Sequence, residues 1–189
     1  YIMKTFEKIP TLFRFDQSTK KFIFNNFHDR NVELLQHHHW MFTEKIDGTN
    51  FRLHRDGYGI SYAGRTDAAT FSKEQLAFIE ARLADDNTET VIEQLFKEKR
   101  VTVYGELYGK NIQKVGSLYG PEYAIKVFDV CVDDVFLERT NMVEVCQAVG
   151  FEAVPVLLTG TIHDGIKYVL SNEKSSFSAA PLEGLVGKP

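Results

Sequence analysis

Cysteine is scarce in this chain: Cys131 and Cys146 are the only two among 189 residues. Two cysteines do not make the disulfide framework of a small secreted domain, and they point to a reducing, cytoplasmic setting. Long apolar runs are missing too. None approaches the ~20 residues that cross a bilayer, so no membrane-spanning helix and no membrane partner are expected. No leader pattern of basic then apolar residues opens the chain. Excess positive charge is also absent, with 22 Lys+Arg against 26 Asp+Glu and a net charge of −4. Any contact with nucleic acid must therefore use a local basic patch, not a basic protein. No segment repeats.

What is present is ordinary globular material: 43% hydrophobic and 25% charged residues, with 15 Phe and 8 Tyr that suit strands and stacking surfaces. The length predicts one domain, 1–189, able to bury a core. Tyr1-Ile2 precede Met3, and Gly187-Lys188-Pro189 stops within a strand or its exit, so the sequence reads as a fragment.

Short strands are expected at 40–45, 50–55 and 58–63, and Phe22-Ile23-Phe24 reads as an edge strand. His37-His38-His39 is a polar turn; three consecutive residues cannot all face one ion from a strand or helix. Ser72-Lys73-Glu74-Gln75 is a capping box, and Leu76, Ile79 and Leu83 follow at helical spacing. A second helix is expected over 89–99, with Ile92, Leu95 and Phe96 inward and Lys97, Lys99 and Arg100 near its end. Residues 101–108 alternate as a strand, Val101, Val103 and Leu107 on one face and Tyr104, Glu106 and Tyr108 on the other. In the most apolar strand, 123–132, strict alternation puts Lys126, Phe128 and Val130 together and Val127, Asp129 and Cys131 opposite. A buried Asp129 would need a partner. Then come a helix capped by Thr140 or Asn141 and ended by Gly150, a strand at 153–158, a helix near 161–170, a mobile loop at 171–180, and a last strand from Leu182. Many short strands with grouped helices predict an α+β fold of largely antiparallel sheets.

The chain is organised around Glu44-Lys45-Ile46-Asp47-Gly48-Thr49-Asn50, which joins two of these strands through an Asp-Gly turn. A lysine at a strand end can point into a cleft, and it becomes a nucleophile where its ammonium is desolvated or crowded by cations. A surface hairpin with a solvated lysine is the plainer reading. Separate segments add Arg65, Glu106, Lys126, Phe128 and Glu183, each polar or aromatic in apolar or glycine-rich surroundings. An amine, carboxylates and a stacking aromatic suit nucleotidyl transfer, though each alone also reads as a rim or core residue.

Together, and in order, these segments resemble a family. Lys45-Ile-Asp-Gly-Thr-Asn50 is similar to motif I, KxxGTN, of covalent nucleotidyltransferases of the RNA ligase 2 type. Gly64-Arg65-Thr66 resembles their arginine motif. Tyr104-Gly-Glu106-Leu-Tyr-Gly109 with Asn111-Ile-Gln-Lys114 resembles motif III, Val127-Phe128-Asp129-Val130 motif IIIa, and Leu182-Glu183-Gly-Leu-Val-Gly-Lys188-Pro189 motif IV. The likeness runs over 44–189 and is close to phage-encoded members. Two departures stand out. Asp47 occupies a position that is often His in this type and Asp in DNA ligases and capping enzymes. The paired lysines of the family's motif V follow motif IV, and the chain ends before them; Lys188 lies too close to motif IV to be one.

The resemblance implies an α+β, ATP-grasp-like adenylation domain that uses ATP and Mg²⁺ or Mn²⁺ as cofactors. It implies that Lys45 takes AMP from ATP as a lysyl-AMP phosphoramidate. The AMP then passes to a 5′-phosphate end, and a 3′-OH displaces it to seal the strand. Glu183 would hold metal. Glu106 would meet the ribose, Phe128 would stack on adenine, and Glu44 would lie near the purine edge. Asn50 and Arg65 would contact ribose or phosphate, with Lys126 and Lys188 as further cations at the nucleotide. The implied partner is nucleic acid with 5′-phosphate and 3′-OH ends, RNA ahead of DNA, handled by a monomer. A DNA ligase, an mRNA guanylyltransferase and a non-catalytic nucleotide- or RNA-binding module are the alternatives.

Overall fold

The computed structural model describes residues 4–85 and 88–189. A hairpin of β1 (Phe13–Asp16) and β2 (Lys21–Phe27) comes first, then the short helix α1 (Arg30–Leu34). β3 (Trp40–Lys45), β4 (Thr49–Arg55) and β5 (Ile60–Ala63) follow. Helices α2 (Lys73–Asp85) and α3 (Thr88–Phe96) lead to β6 (Val101–Gly109), α4 (Gly116–Tyr119), β7 (Tyr123–Val132) and β8 (Val135–Phe136). The chain continues as α5 (Arg139–Val149), β9 (Glu152–Ala153), β10 (Val156–Gly160), α6 (Ile162–Ser171) and β11 (Gly184–Lys188). This is the expected α+β class.

Two sheets carry the architecture. The larger runs β5-β4-β6-β7-β8, antiparallel throughout, with β9 added to β7 in parallel. Its alternating apolar residues Phe51, Leu53, Val101, Val103, Leu107, Val127 and Val130 pack against Ile79, Ile92, Met142 and Cys146 from the helices. The smaller sheet, β10-β3-β11, is also antiparallel and packs Trp40 and Phe42 against Ile162 and Ile166 of α6.

Three strand expectations change. β3 and β4 are not a hairpin: they belong to different sheets, and Ile46–Gly48 is the crossing between them. The 153–158 strand is likewise divided at Pro155, which supplies no N–H for a ladder, so β9 stays with β7 while β10 joins β3. The third change lies in β7. Tyr104 pairs with Asp129 but Gly105 with Val127, so Phe128 is the extra residue of a β-bulge. Alternation slips there. Val127 and Val130 both enter the core, and Asp129 turns to the side of Lys126.

Smaller differences have local causes. α3 ends at Phe96 because Lys97 has φ 53°, so the cations lie beyond the helix, and Leu95 is exposed. Glu138, not Thr140 or Asn141, precedes α5, while Gly150 does end it at φ 74°. The Ser72/Gln75 capping box forms with both reciprocal bonds, and the histidine run is a turn. Both cysteines are free and buried. No helix among the described residues is long and apolar enough to cross a membrane.

Candidate active site

Where the two sheets meet, Ile46, Tyr108 and Val154 form a small apolar cluster joined by Tyr119, Ala124 and Phe128. The crossing Ile46–Gly48 runs over this cluster and is held by backbone contacts. Asp47 N–H donates to the Tyr119 hydroxyl at 3.1 Å, and the Gln113 amide donates to Gly48 O at 2.9 Å. Gly48 is required by space: a Cβ there would stand 2.3 Å from Leu107 O. The turn is thereby fixed, and Lys45 just before it is fixed with it.

Lys45 ends β3 opposite Gly184, and its ammonium pairs with the Glu183 carboxylate. Glu106 on β6 shares the local field of both. Burial, the largest influence, pushes its carboxyl up to about 8; Lys45 pulls it down and Glu183 raises it. Glu106 is therefore mostly protonated at neutral pH and able to donate. Across the large sheet Asn50 and Lys126 are its register partners, so these three side chains share one face. Lys126 is 8% exposed and reaches Glu152.

Two acceptors near the lysine lack donors. Asn50 Oδ1 and Glu44 Oε1 are buried and make no hydrogen bond. Such atoms cost free energy unless something supplies an N–H or O–H. Glu44 is 2% exposed. Its other oxygen accepts from the Ser176 N–H at 2.9 Å and the Ser176 hydroxyl at 2.6 Å.

The other expected residues fall as follows. Phe128, the bulge residue, is half-buried and meets the Phe6 ring edge-on at 4.9 Å. Lys188 reaches across the sheets to Asp129 at 2.6 Å, the partner that buried carboxyl needs. Burial still holds Asp129 above its ordinary range, with Lys188 opposing. Arg65 is exposed on its turn, and no contact among the described residues joins it to Lys45 or Glu183.

Three contributors were not picked out from the sequence. Arg52, fully buried, donates to Gly64 O at 2.7 Å and pairs with Asp67 at 2.8 Å, so it builds the turn that presents Arg65. Its signal is the alternation of Asn50, Arg52 and His54 with Phe51 and Leu53. Tyr119 and the Ser176–Phe177 pair carried no local signal; only the fold brings them to motif I. Residues 171–180, expected as a mobile loop, fold back on themselves: Lys174 bridges Pro181, and Leu182 N–H donates to Glu173 O at 3.0 Å.

Carboxylate oxygens are donors for a hard divalent cation, and Glu183 offers one beside Lys45. Among the described residues no group of three His, Cys, Asp or Glu is gathered for a metal. Further ligands would come from phosphate oxygens and water, the usual arrangement for Mg²⁺ at nucleotides.

A family model described as RNA ligase matches residues 38–189. Among solved structures, the chain is similar to a Naegleria gruberi RNA ligase variant with ATP and Mn, at TM-score 0.64 and 19% identity. A second variant, with AMP and Mn, gives TM-score 0.64 and 20% identity. The same ligase with PPi gives TM-score 0.63 and 21% identity. Each match covers 84% of this chain and 48% of the other, so the chain spans about half the length of those ligases. Comparison with curated proteins gives no match.

Proposed function

As the chain belongs to the RNA ligase family, we propose that it is the adenylation part of an ATP-dependent RNA ligase with Lys45 as the nucleophile. The observation that carries this is Lys45 held by Glu183 beside two buried acceptors, Asn50 Oδ1 and Glu44 Oε1, that await donors. Ribose hydroxyls and a base amine are such donors.

In the proposed reaction the Lys45 amine attacks the α-phosphorus of ATP. A P–N bond forms, the P–O bond to pyrophosphate breaks, and the amine loses its proton. AMP then moves to the 5′-phosphate of an RNA end, which frees Lys45. A 3′-OH attacks that activated phosphate, closes the phosphodiester and expels AMP. Such phosphoryl chemistry asks for positioning and charge neutralisation. The rigid Ile46–Gly48 crossing supplies the first, and Lys126, Arg65 and Lys188 contribute to the second. Glu183 would hold a divalent Mg²⁺ or Mn²⁺ ion, whose chemistry when bound is neutralisation of phosphate charge. Glu106 and Asn50 would meet the ribose, Phe128 the adenine face and Glu44 its edge. Two buried free cysteines suit a reducing cytoplasm.

Intact mass after incubation with ATP and Mg²⁺, with GTP in parallel, tests the reading. The expected result is a gain of one AMP, acid-labile and mapped to the Lys45 peptide. A GMP gain instead would mark capping chemistry, and an adduct elsewhere would overturn the assignment of Lys45.

A further inference from the structure

We propose that Ser176 and Phe177 form a base-selecting wall that favours an adenine-type purine, an inference resting on the nucleotide reading above. The loop that carries them is built, not draped. Ser175 N–H donates to Ala180 O at 2.9 Å, Lys174 bridges Pro181, and Ala180 is fully buried. Its tip lands on Glu44, and Glu183 follows two residues after Pro181. Strand and loop are thus joined at neighbouring points, Glu44 to Ser176 and Lys45 to Glu183.

Both Ser176 donors fall on the same Glu44 oxygen, Oε2. This anchors the carboxylate and leaves Oε1 buried with nothing donating to it. A fixed acceptor of this kind favours an N–H and opposes a second acceptor. Adenine carries an exocyclic amine at carbon six, whereas guanine carries a carbonyl oxygen there. The anchored carboxylate therefore discriminates by chemistry, not size.

Phe177 supplies the wall. Its ring centroid is 5.7 Å from Tyr108 and 5.8 Å from Tyr119, and the Lys126 ammonium stands 4.7 Å from it. Phe177 is 37% exposed as a residue, so it is not sealed by these neighbours. An aromatic ring beside an unsatisfied acceptor is a stacking surface with a reader at its edge. Ser176 is a positioning residue, acting through Glu44.

The test is equilibrium binding of ATP and GTP to this chain and to Ser176→Ala, Ser176→Thr and Phe177→Ala, each checked by thermal melting. Wild type is expected to prefer ATP. Ser176→Ala should shrink that preference about three- to tenfold, the scale of one ordinary net hydrogen bond, since the Ser176 N–H still holds Glu44. Ser176→Thr should restore it. Phe177→Ala should weaken both nucleotides alike, about tenfold for one lost stacking contact. An unchanged ATP/GTP ratio in a Ser176→Ala protein that melts like wild type would overturn this inference alone. Wild type binding neither nucleotide would overturn the nucleotide reading, and this inference with it.

Discussion

The two sheets divide the work unequally. The larger one buries its apolar face against three helices and is the stable part, with Phe51, Leu53, Val127 and Val130 all fully buried. The smaller one rests on a short cluster around Trp40 and Phe42, yet it carries Glu44 and Lys45 on β3 and receives Glu183 from just before β11. The large sheet offers Asn50, Glu106, Lys126 and the Phe128 bulge as a floor; the small one offers the Lys45 amine, the proposed nucleophile. Chemistry at such a seam depends on how the halves are joined, and here the join is a fixed turn, an Asp129–Lys188 pair and a folded-back loop. The lesson is that a lysine 49% exposed in its side chain can still be positioned, through its backbone neighbours.

Changing one half at a time exposes that division. The largest effect belongs to Lys45→Ala, which should abolish AMP attachment by intact mass while leaving the melting temperature near wild type. Adduct persisting in it would place the nucleophile elsewhere. Phe51→Ala empties the large-sheet core and should cost about 3–5 kcal/mol in denaturant unfolding; a cost under about 1 kcal/mol would contradict the stable-half assignment. Phe128→Ala sits at the seam, and should weaken ATP binding about tenfold, roughly 1.4 kcal/mol. A core-like loss of about 3 kcal/mol with unchanged ATP affinity would make Phe128 packing only.

The smallest effect is electrostatic. Glu106 has its folded-state pKa raised from 4.5 to about 8, so the folded protein holds a proton that the unfolded chain releases. The stability this gives is complete below about 4.5 and is lost as pH rises through about 8. Glu106→Gln should flatten that slope, by about 1–2 kcal/mol over the window, read from denaturant midpoints at several pH values. An unaltered slope would show that the carboxyl is better solvated than its burial suggests.

Much of this was legible in the chain. The alternation of Val101 to Tyr108, the capping box at Ser72 and the motif wording from Lys45 to Glu183 gave the class, most elements and the central residues. These are local signals, and local physics decides them. What escaped was set at a distance. Nothing near Gly48 announces that the turn joins two sheets instead of closing a hairpin; that follows from which partners β3 and β4 find. Ser176 and Phe177 read as polar loop because their partners, Glu44 and Tyr108, are far along the chain. The bulge at Phe128 is invisible to a period-two reading, which assumed one face for Val127 and Asp129.

That bulge makes the strand sensitive to length as well as composition. One inserted residue separates a core-facing valine at 127 from a core-facing valine at 130, so two side chains, not one, lie between them. A deletion of Phe128 would remove the bulge and leave Val127, Asp129 and Val130 alternating inward, outward and inward, with Asp129 still facing Lys188. Substitutions along β7 are graded insults, whereas an insertion or deletion that the bulge does not absorb slips the parity of every residue beyond it.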